Sequence, residues 1–309
     1  MQSFKKATLV LVHTGLWPAV MLAWPAALVY MLQQGYGVVW AYHIVYLSGV
    51  VGLFLLEQIM PYSRKWQKVD SQWVGDLVHT VLSRSAGGFV LRLTGLWVTV
   101  HIYGQYYAPS VWQGVHFWLQ ILAAMVVCEF GRYWYHRLTH ERWGGWVFHA
   151  LHHISKRLWV GNASRMHFLD GASLTFFGFV GLFLAQFPPM VIFWVVALNS
   201  FIGTLAHSNI QMRLGGLNYL FNTPVLHRWH HSRTLSEASR NYGLSLTLWD
   251  HVFGTYYNPD RASSETIGIR NMPFPDAFLK QLYTPITMLR TGVKPFCAYV
   301  GEKKKGCKP

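Results

Sequence analysis

Charge is what this sequence has least of: Asp, Glu, Lys and Arg make up 12% of the 309 residues, half of the roughly 25% found in soluble domains. With 52% hydrophobic and 16% aromatic residues, that scarcity excludes a disordered chain and argues against an ordinary soluble domain. Cysteine is also rare. Cys128, Cys297 and Cys307 form no CxxC pair and no even set, which removes both a disulfide framework and a cysteine metal site. Dense basic runs are missing apart from Lys303, Lys304 and Lys305. The formal net charge of +14 is therefore not read as nucleic-acid binding, which needs clustered cations among recognition aromatics. The chain shows no internal repeat and no low-complexity segment.

What is present is a series of long apolar runs. Lys5 and Lys6 precede a stretch from about Ala7 to Leu32, too long for a cleaved leader and followed by no Ala-x-Ala site, so it reads as a signal anchor. Further candidate spans run from about Val38 to Met60, Gly88 to Tyr107 and Val115 to Tyr135, each near the roughly 20 residues that a bilayer requires. Two shorter arms, Ala172 to Phe187 and Met190 to Ala206, flank Pro188 and Pro189 as a hairpin. Counted from a cytosolic N-terminus, the outer connections are Gln33 to Gly37, Ala108 to Gly114 and the Pro188-Pro189 tip. None contains Lys or Arg, which is the positive-inside pattern; Arg64 to Lys68, Arg84 to Arg92 and the polar residues after Arg132 fall to the inner face. The expected architecture is an all-α membrane protein of about four transmembrane helices plus a helical hairpin, with a cytosolic helical cap. Residues 1–290 form a single membrane-embedded domain and 291–309 a basic polar tail.

Sixteen histidines are many for this length, and their spacing says more than their number. They form three clusters: His136 and His140 in HRLTH, His149, His152 and His153 in HALHH, and His227, His230 and His231 in HRWHH. Residues i, i+3 and i+4 share one helix face, and i, i+4 histidines are a metal-chelating pair. Eight neutral imidazoles exceed what one tetrahedral ion uses, so two metals are expected; imidazole alone suits Fe, Zn, Cu or Ni. Isolated histidines on the apolar runs, His13, His43, His79, His101 and His116, are expected to be buried and hydrogen-bonded. Two other functions compete with catalysis. A histidine-based metal transporter requires ionisable groups reached from both faces, whereas these clusters lie toward one. A haem-binding electron carrier would use His13, His43 or His101.

The text EFGRYWYHRLTH, HALHH, NASRMHFLD, AHSN, TPVLHRWHH and NYGLSLTLWDHVFGTYY, between Cys128 and Tyr257, resembles the fatty acid hydroxylase and sterol desaturase superfamily of membrane-bound histidine-box oxygenases. The resemblance implies a centre of two Fe ions in the region 128–257. It also implies O2 as oxidant, a membrane lipid substrate that is hydroxylated or desaturated, and a separate electron donor, ferredoxin or cytochrome b5 with its reductase. Sterol, fatty acyl lipid, ether lipid and carotenoid are all compatible with it. Carried over residue by residue, the eight cluster histidines are catalytic metal ligands, and His207 of AHSN is a further ligand. His167 of SRMH is either a ligand or a neighbour of one, because Phe168 and Asp170 replace the family's usual proline and glutamate. Glu129 is expected to support the site or pair with Arg132, Asp250 to orient a histidine, Asn241-Tyr242-Gly243 to form a tight turn, and His251 to be structural. Trp134, Tyr135, Trp143 and Trp146 suit an interfacial belt or a lipid entrance.

Overall fold

The computed structural model describes residues 2–102, 111–269 and 274–291, with the side chains of the first helix from His13 onward. The molecule is all-helical as expected, and its β-pairing among the described residues is limited to three isolated bridges. Helices α1 (Gln2–Gln33) and α2 (Val38–Ile59) form a hairpin whose turn passes through Gly35 at φ 83°, a left-handed conformation that glycine adopts without a Cβ clash. Helices α3 (Trp73–His101), α4 (Phe117–Glu141), α6 (Phe168–Leu184) and α7 (Pro189–Ala206) complete the base. The cap is built from α5 (Trp143–His153), α8 (Pro224–His230), the single turns α9 (Leu235–Ala238) and α10 (Leu248–Val252), and α11 (Phe278–Thr291).

Three stretches, His13–Gln33, Val38–Ile59 and Pro189–Ala206, are long and apolar enough to cross a membrane, and the chain is an integral membrane protein. The first two bury little of their surface and present side chains such as Leu22, Trp40, Leu47 and Val51 outward. The third is mostly inside the protein, with Val191, Val195, Phe201 and Leu205 fully buried. The third expected span differs at its start: the helix begins at Trp73, not Gly88, and its expected end at Tyr107 lies outside the described residues. Arg84, placed on the inner face by its charge, sits within this helix. Its guanidinium donates to the hydroxyls of Tyr42 (2.8 Å), Tyr46 (2.9 Å) and Ser200 (3.2 Å), so an arginine is held inside a helical bundle by converging oxygens. Helix α4 runs on past Tyr135 to Glu141 and carries His136 and His140 out of the base into the cap. The basic tail expected at 291–309 lies outside the described residues beyond Thr291.

Small residues set the helix crossings, as expected where lipid supplies no hydrophobic drive between helices. Helix α6 is clasped between α3 and α4. A Cβ built on Gly131 would lie 1.8 Å from the Phe177 carbonyl oxygen, and one on Gly171 2.1 Å from the Ser83 hydroxyl. Because α4 carries the first two histidines and α6 begins beside the second cluster, these contacts set the depth of the site. Gly131→Ala is expected to force α4 and α6 apart, at a cost of about 1–3 kcal/mol, and to lower the melting temperature in detergent. Gly88→Ala, which meets nothing within 4 Å, should leave it unchanged; equal melting of the two variants would contradict this packing.

Candidate metal centre

Both HxxHH boxes close short helices. Thr223 caps α8, its hydroxyl accepting from the Leu226 N–H at 3.4 Å, and Pro224 occupies the first turn, where a missing N–H costs nothing. The HALHH box ends α5 in the same way, and in each case the i, i+4 pair and the i+3 residue leave the helix in different directions. His136, His140, His149, His153 and His230 converge in one group, and His152, His207, His227 and His231 in another, with the ligand atoms of each group within 4.8 Å of one another. Each box therefore divides itself. HALHH gives its i, i+4 pair to the five-membered group and its middle histidine to the other, and HRWHH does the reverse.

The outer ring nitrogens are held by the protein. Nδ1–H of His136 donates to the Tyr242 carbonyl at 2.7 Å, that of His152 to the Arg165 carbonyl at 3.0 Å, and that of His230 to the Arg240 carbonyl at 2.8 Å. His149 donates to the Asp170 carboxylate at 2.9 Å and His207 to the Asn162 side-chain oxygen at 3.2 Å. These bonds select the tautomer whose Nε2 is a bare lone pair. Those Nε2 atoms are then pressed together: His136 lies 3.1 Å from both His149 and His230. In the second group His231 lies 3.1 Å from both His152 and His227, and His227 lies 2.8 Å from His207.

Protonation does not resolve the crowding. Burial pushes the imidazoles of His152 and His230 down to about 3, and burial followed by neighbouring rings holds His207, His227 and His231 well below the ordinary histidine range. Where both facing nitrogens are bare, as for His136 against His149 and His230, two lone pairs at hydrogen-bond distance with no proton between them repel, and a cation at that point turns the repulsion into coordination. Both ring nitrogens of His140 are buried with no partner among the described residues, a cost of about 1–3 kcal/mol for each unsatisfied atom that coordination of one nitrogen relieves in part. The residues thus fit two metal ions.

Most sequence expectations for the site find a place here, and three carboxylates gain roles. The eight cluster histidines are brought together, and His207 joins them. His167 stands outside both groups: its Nδ1 accepts from the Leu169 N–H that opens α6, and its Nε2 faces the Leu282 carbonyl at 3.2 Å. Glu129 lies away from the ligand atoms, accepting the backbone N–H groups of Leu244 and Ser245 while pairing with Arg132 at 3.5 Å. Asp250 accepts from the N–H of Tyr242 at 2.7 Å and of Gly243 at 2.8 Å, which fixes the turn whose Tyr242 carbonyl orients His136. Asn241 supports the same turn at φ 53°. In the sequence Asp170 stands only as a departure from a motif, yet it is 1% exposed and grips both His149 and the Tyr135 hydroxyl, the latter at 2.7 Å. Its signal was an acid in the first turn of an otherwise apolar helix.

The isolated histidines stay apart from both groups. His79 is buried and bonded to Gln281 at 2.9 Å, as expected. His43, His101 and His116 are exposed, so burial does not describe them. His251 is exposed and stacks on Tyr256 at 4.2 Å. Of the aromatics expected at an interface, Trp146 is instead wholly buried in the cap, 5.2 Å from the His140 ring, because α5 turns that face toward the histidines.

The fatty acid hydroxylase family pattern matches residues 121–255, a span that holds both histidine groups. Similarity extends further in the ornithine lipid hydroxylase OlsE of Rhizobium tropici, 38% identical over 298 residues that cover 94% of this chain and 87% of that one. The chain belongs to the fatty acid hydroxylase family. Among more distant relatives, the alkylglycerol monooxygenase of Danio rerio is 29% identical over 67% of this chain and 46% of its own. Methylsterol monooxygenase 1 of Rattus norvegicus is 25% identical over 65% of this chain and 70% of its own. No solved structure matches. Membership places the protein among lipid-modifying oxidoreductases and disfavours the transporter and haem-carrier readings.

Proposed function

We propose that this member of the fatty acid hydroxylase family holds two iron ions in its nine clustered histidines and hydroxylates an acylated amino lipid in the membrane, with O2 as oxidant and a separate protein as electron donor. The observation that carries the metal assignment is the convergence of nine buried histidine ligand atoms into two groups, each within 4.8 Å, with the bare Nε2 lone pair of His136 facing those of His149 and His230 at 3.1 Å in the first. Iron, when bound, supplies the one-electron redox chemistry that lets dioxygen attack an unactivated C–H bond. Everything else is the work of the chain. Backbone carbonyls of Tyr242, Arg165 and Arg240 aim three rings through their Nδ1 atoms, and such outer partners orient ligands and raise their basicity. Arg165 is itself fixed by Asp76 at 2.6 Å, which locks the loop that positions His152. Trp146 and Tyr242, both buried against the first group, exclude water from one side.

The amino-lipid substrate rests on the ornithine lipid hydroxylase OlsE, whose similarity runs through nearly the whole chain, including the helices outside the histidine region. The alkylglycerol monooxygenase match covers less of either chain. The absence of Lys and Arg from Gln33 to Gly37 and from the Pro188-Pro189 tip supports a cytoplasmic position for the cap, where a ferredoxin or a cytochrome b5 with its reductase has access. Lipid extracts from cells with the gene are expected to contain an amino lipid heavier by one oxygen than in cells lacking it, with the added oxygen labelled when growth is under 18O2. A product lighter by two hydrogens would show desaturation instead, and an unchanged amino-lipid fraction would exclude this substrate.

A further inference from the structure

The chain leaves each HxxHH box into basic residues within two to four positions: Lys156 and Arg157 after His153, and Arg233 after His231. With Lys65 and Lys68 from the connection between α2 and α3, these cations border a surface depression of about 340 Å³. Lys65 pairs with Glu265 at 3.0 Å and Arg157 with Asp70 at 3.5 Å. Among the described residues, no carboxylate pairs with Lys68, Lys156 or Arg233. Lys68 and Lys156 are exposed, and Val69 beside them is 73% exposed.

The floor of the depression leads directly to the site. Ile267 is 1% exposed, and its carbonyl accepts from Arg233 Nε at 2.9 Å. The next residue, Gly268, donates its N–H to the carbonyl of His231 at 3.2 Å. Gly268 has φ 97°, and a Cβ there would lie 3.0 Å from the Ser155 carbonyl oxygen, so this segment is pressed onto the backbone that leaves His153. The rings of His153 and His231, one from each metal group, stack with centroids 4.4 Å apart and planes at 25°. A single layer of backbone connects the floor to the two rings where the groups meet.

We propose that this basic depression docks a small acidic electron-carrier protein and that electrons enter between His153 and His231. The inference rests on the oxygenase reading above. Converting one C–H bond to C–OH takes O2, two electrons and two protons and releases water; the reduced carrier supplies the electrons, one per docking event, and the protons come from solvent. A concave surface with unpaired cations and an exposed valine fits a protein surface better than a flat bilayer. Charge pairing across it speeds encounter and weakens with salt.

The test uses full-length, iron-loaded enzyme in nanodiscs of zwitterionic phosphatidylcholine that carry an ornithine-containing acylated amino lipid as substrate, with a plant-type [2Fe–2S] ferredoxin and its reductase as the probe. In Lys68→Glu/Lys156→Glu protein, the KM for ferredoxin is expected to rise at least tenfold with kcat within twofold, and the salt dependence of kcat/KM to flatten. Turnover driven by dithionite and methyl viologen should stay within twofold of wild type. The milder Lys68→Gln/Lys156→Gln pair should show an intermediate KM. An unchanged ferredoxin KM, equal losses with both reductants, or a defect confined to binding anionic vesicles would overturn the docking site. If wild type converts no lipid with either reductant, the oxygenase reading has failed and the ferredoxin Kd in the same nanodiscs decides the docking site alone. A Kd tenfold weaker in the Glu variant supports it, and equal Kd values or no binding to wild type overturns it.

Discussion

Replacing His230 with alanine is expected to leave about one metal per chain in place of two and to lower lipid turnover by roughly three orders of magnitude or more, since a catalytic metal contributes several kcal/mol to such steps. His230 is the only member of its box in the five-histidine group, whereas His227 and His231 belong to the other. His227→Ala should therefore also halve the metal content but empty the opposite position. Elemental analysis combined with iron spectroscopy of the remaining ion separates the two outcomes, because a five-histidine and a four-histidine environment differ in donor number. His251→Ala serves as a control, since that ring is exposed and stacked on Tyr256. Two metals retained at full activity in His230→Ala would show that the convergence of these rings is structural.

The second large effect is expected at Asp170. Four of the five ligand rings with an oxygen partner at Nδ1 are held by neutral oxygens; His149 alone is held by a carboxylate. A charged acceptor makes a stronger hydrogen bond than a neutral one and raises the basicity of Nε2 at the far side of the ring. Asp170→Asn is expected to weaken metal binding in the five-histidine group roughly 10–100-fold, read as earlier metal loss in a chelator titration, while the second position is held as in wild type. Tyr135→Phe removes only the other bond to this carboxylate and should have a smaller effect. A chelator titration unchanged by Asp170→Asn would remove the carboxylate from any account of the site.

Helical character, the apolar first hairpin and the existence of a multi-histidine centre were legible in the sequence, because each depends on spacing along one chain segment. A run of about 20 apolar residues has few alternatives to a buried or membrane helix, and HxxxH and HxxHH gather several rings within one or two helical turns whatever surrounds them. Where charge interrupts an apolar run, this locality fails. Arg84 concealed the first half of α3, since the hydroxyls of Tyr42, Tyr46 and Ser200 that accommodate it come from helices 38 to 116 residues away in sequence.

Only the tertiary structure decided how the histidines divide. Spacing suggests that each cluster acts as a unit, but α5 and α8 each send their i, i+4 pair to one group and their remaining histidine to the other. From the sequence His207 was expected to be a ligand and His167 either a ligand or a neighbour of one. The end of α7 brings the first within 2.8 Å of His227, whereas the second is spent opening α6 and facing α11. The carboxylates divide on the same ground. Asp170 meets His149, Asp250 holds the turn that aims His136, and Glu129 caps a loop, although all three are lone acids in apolar surroundings. Residue type and spacing determine which atoms can bind a metal; which of them meet depends on helix crossings set by contacts such as Gly131 against Phe177, between residues far apart in the chain.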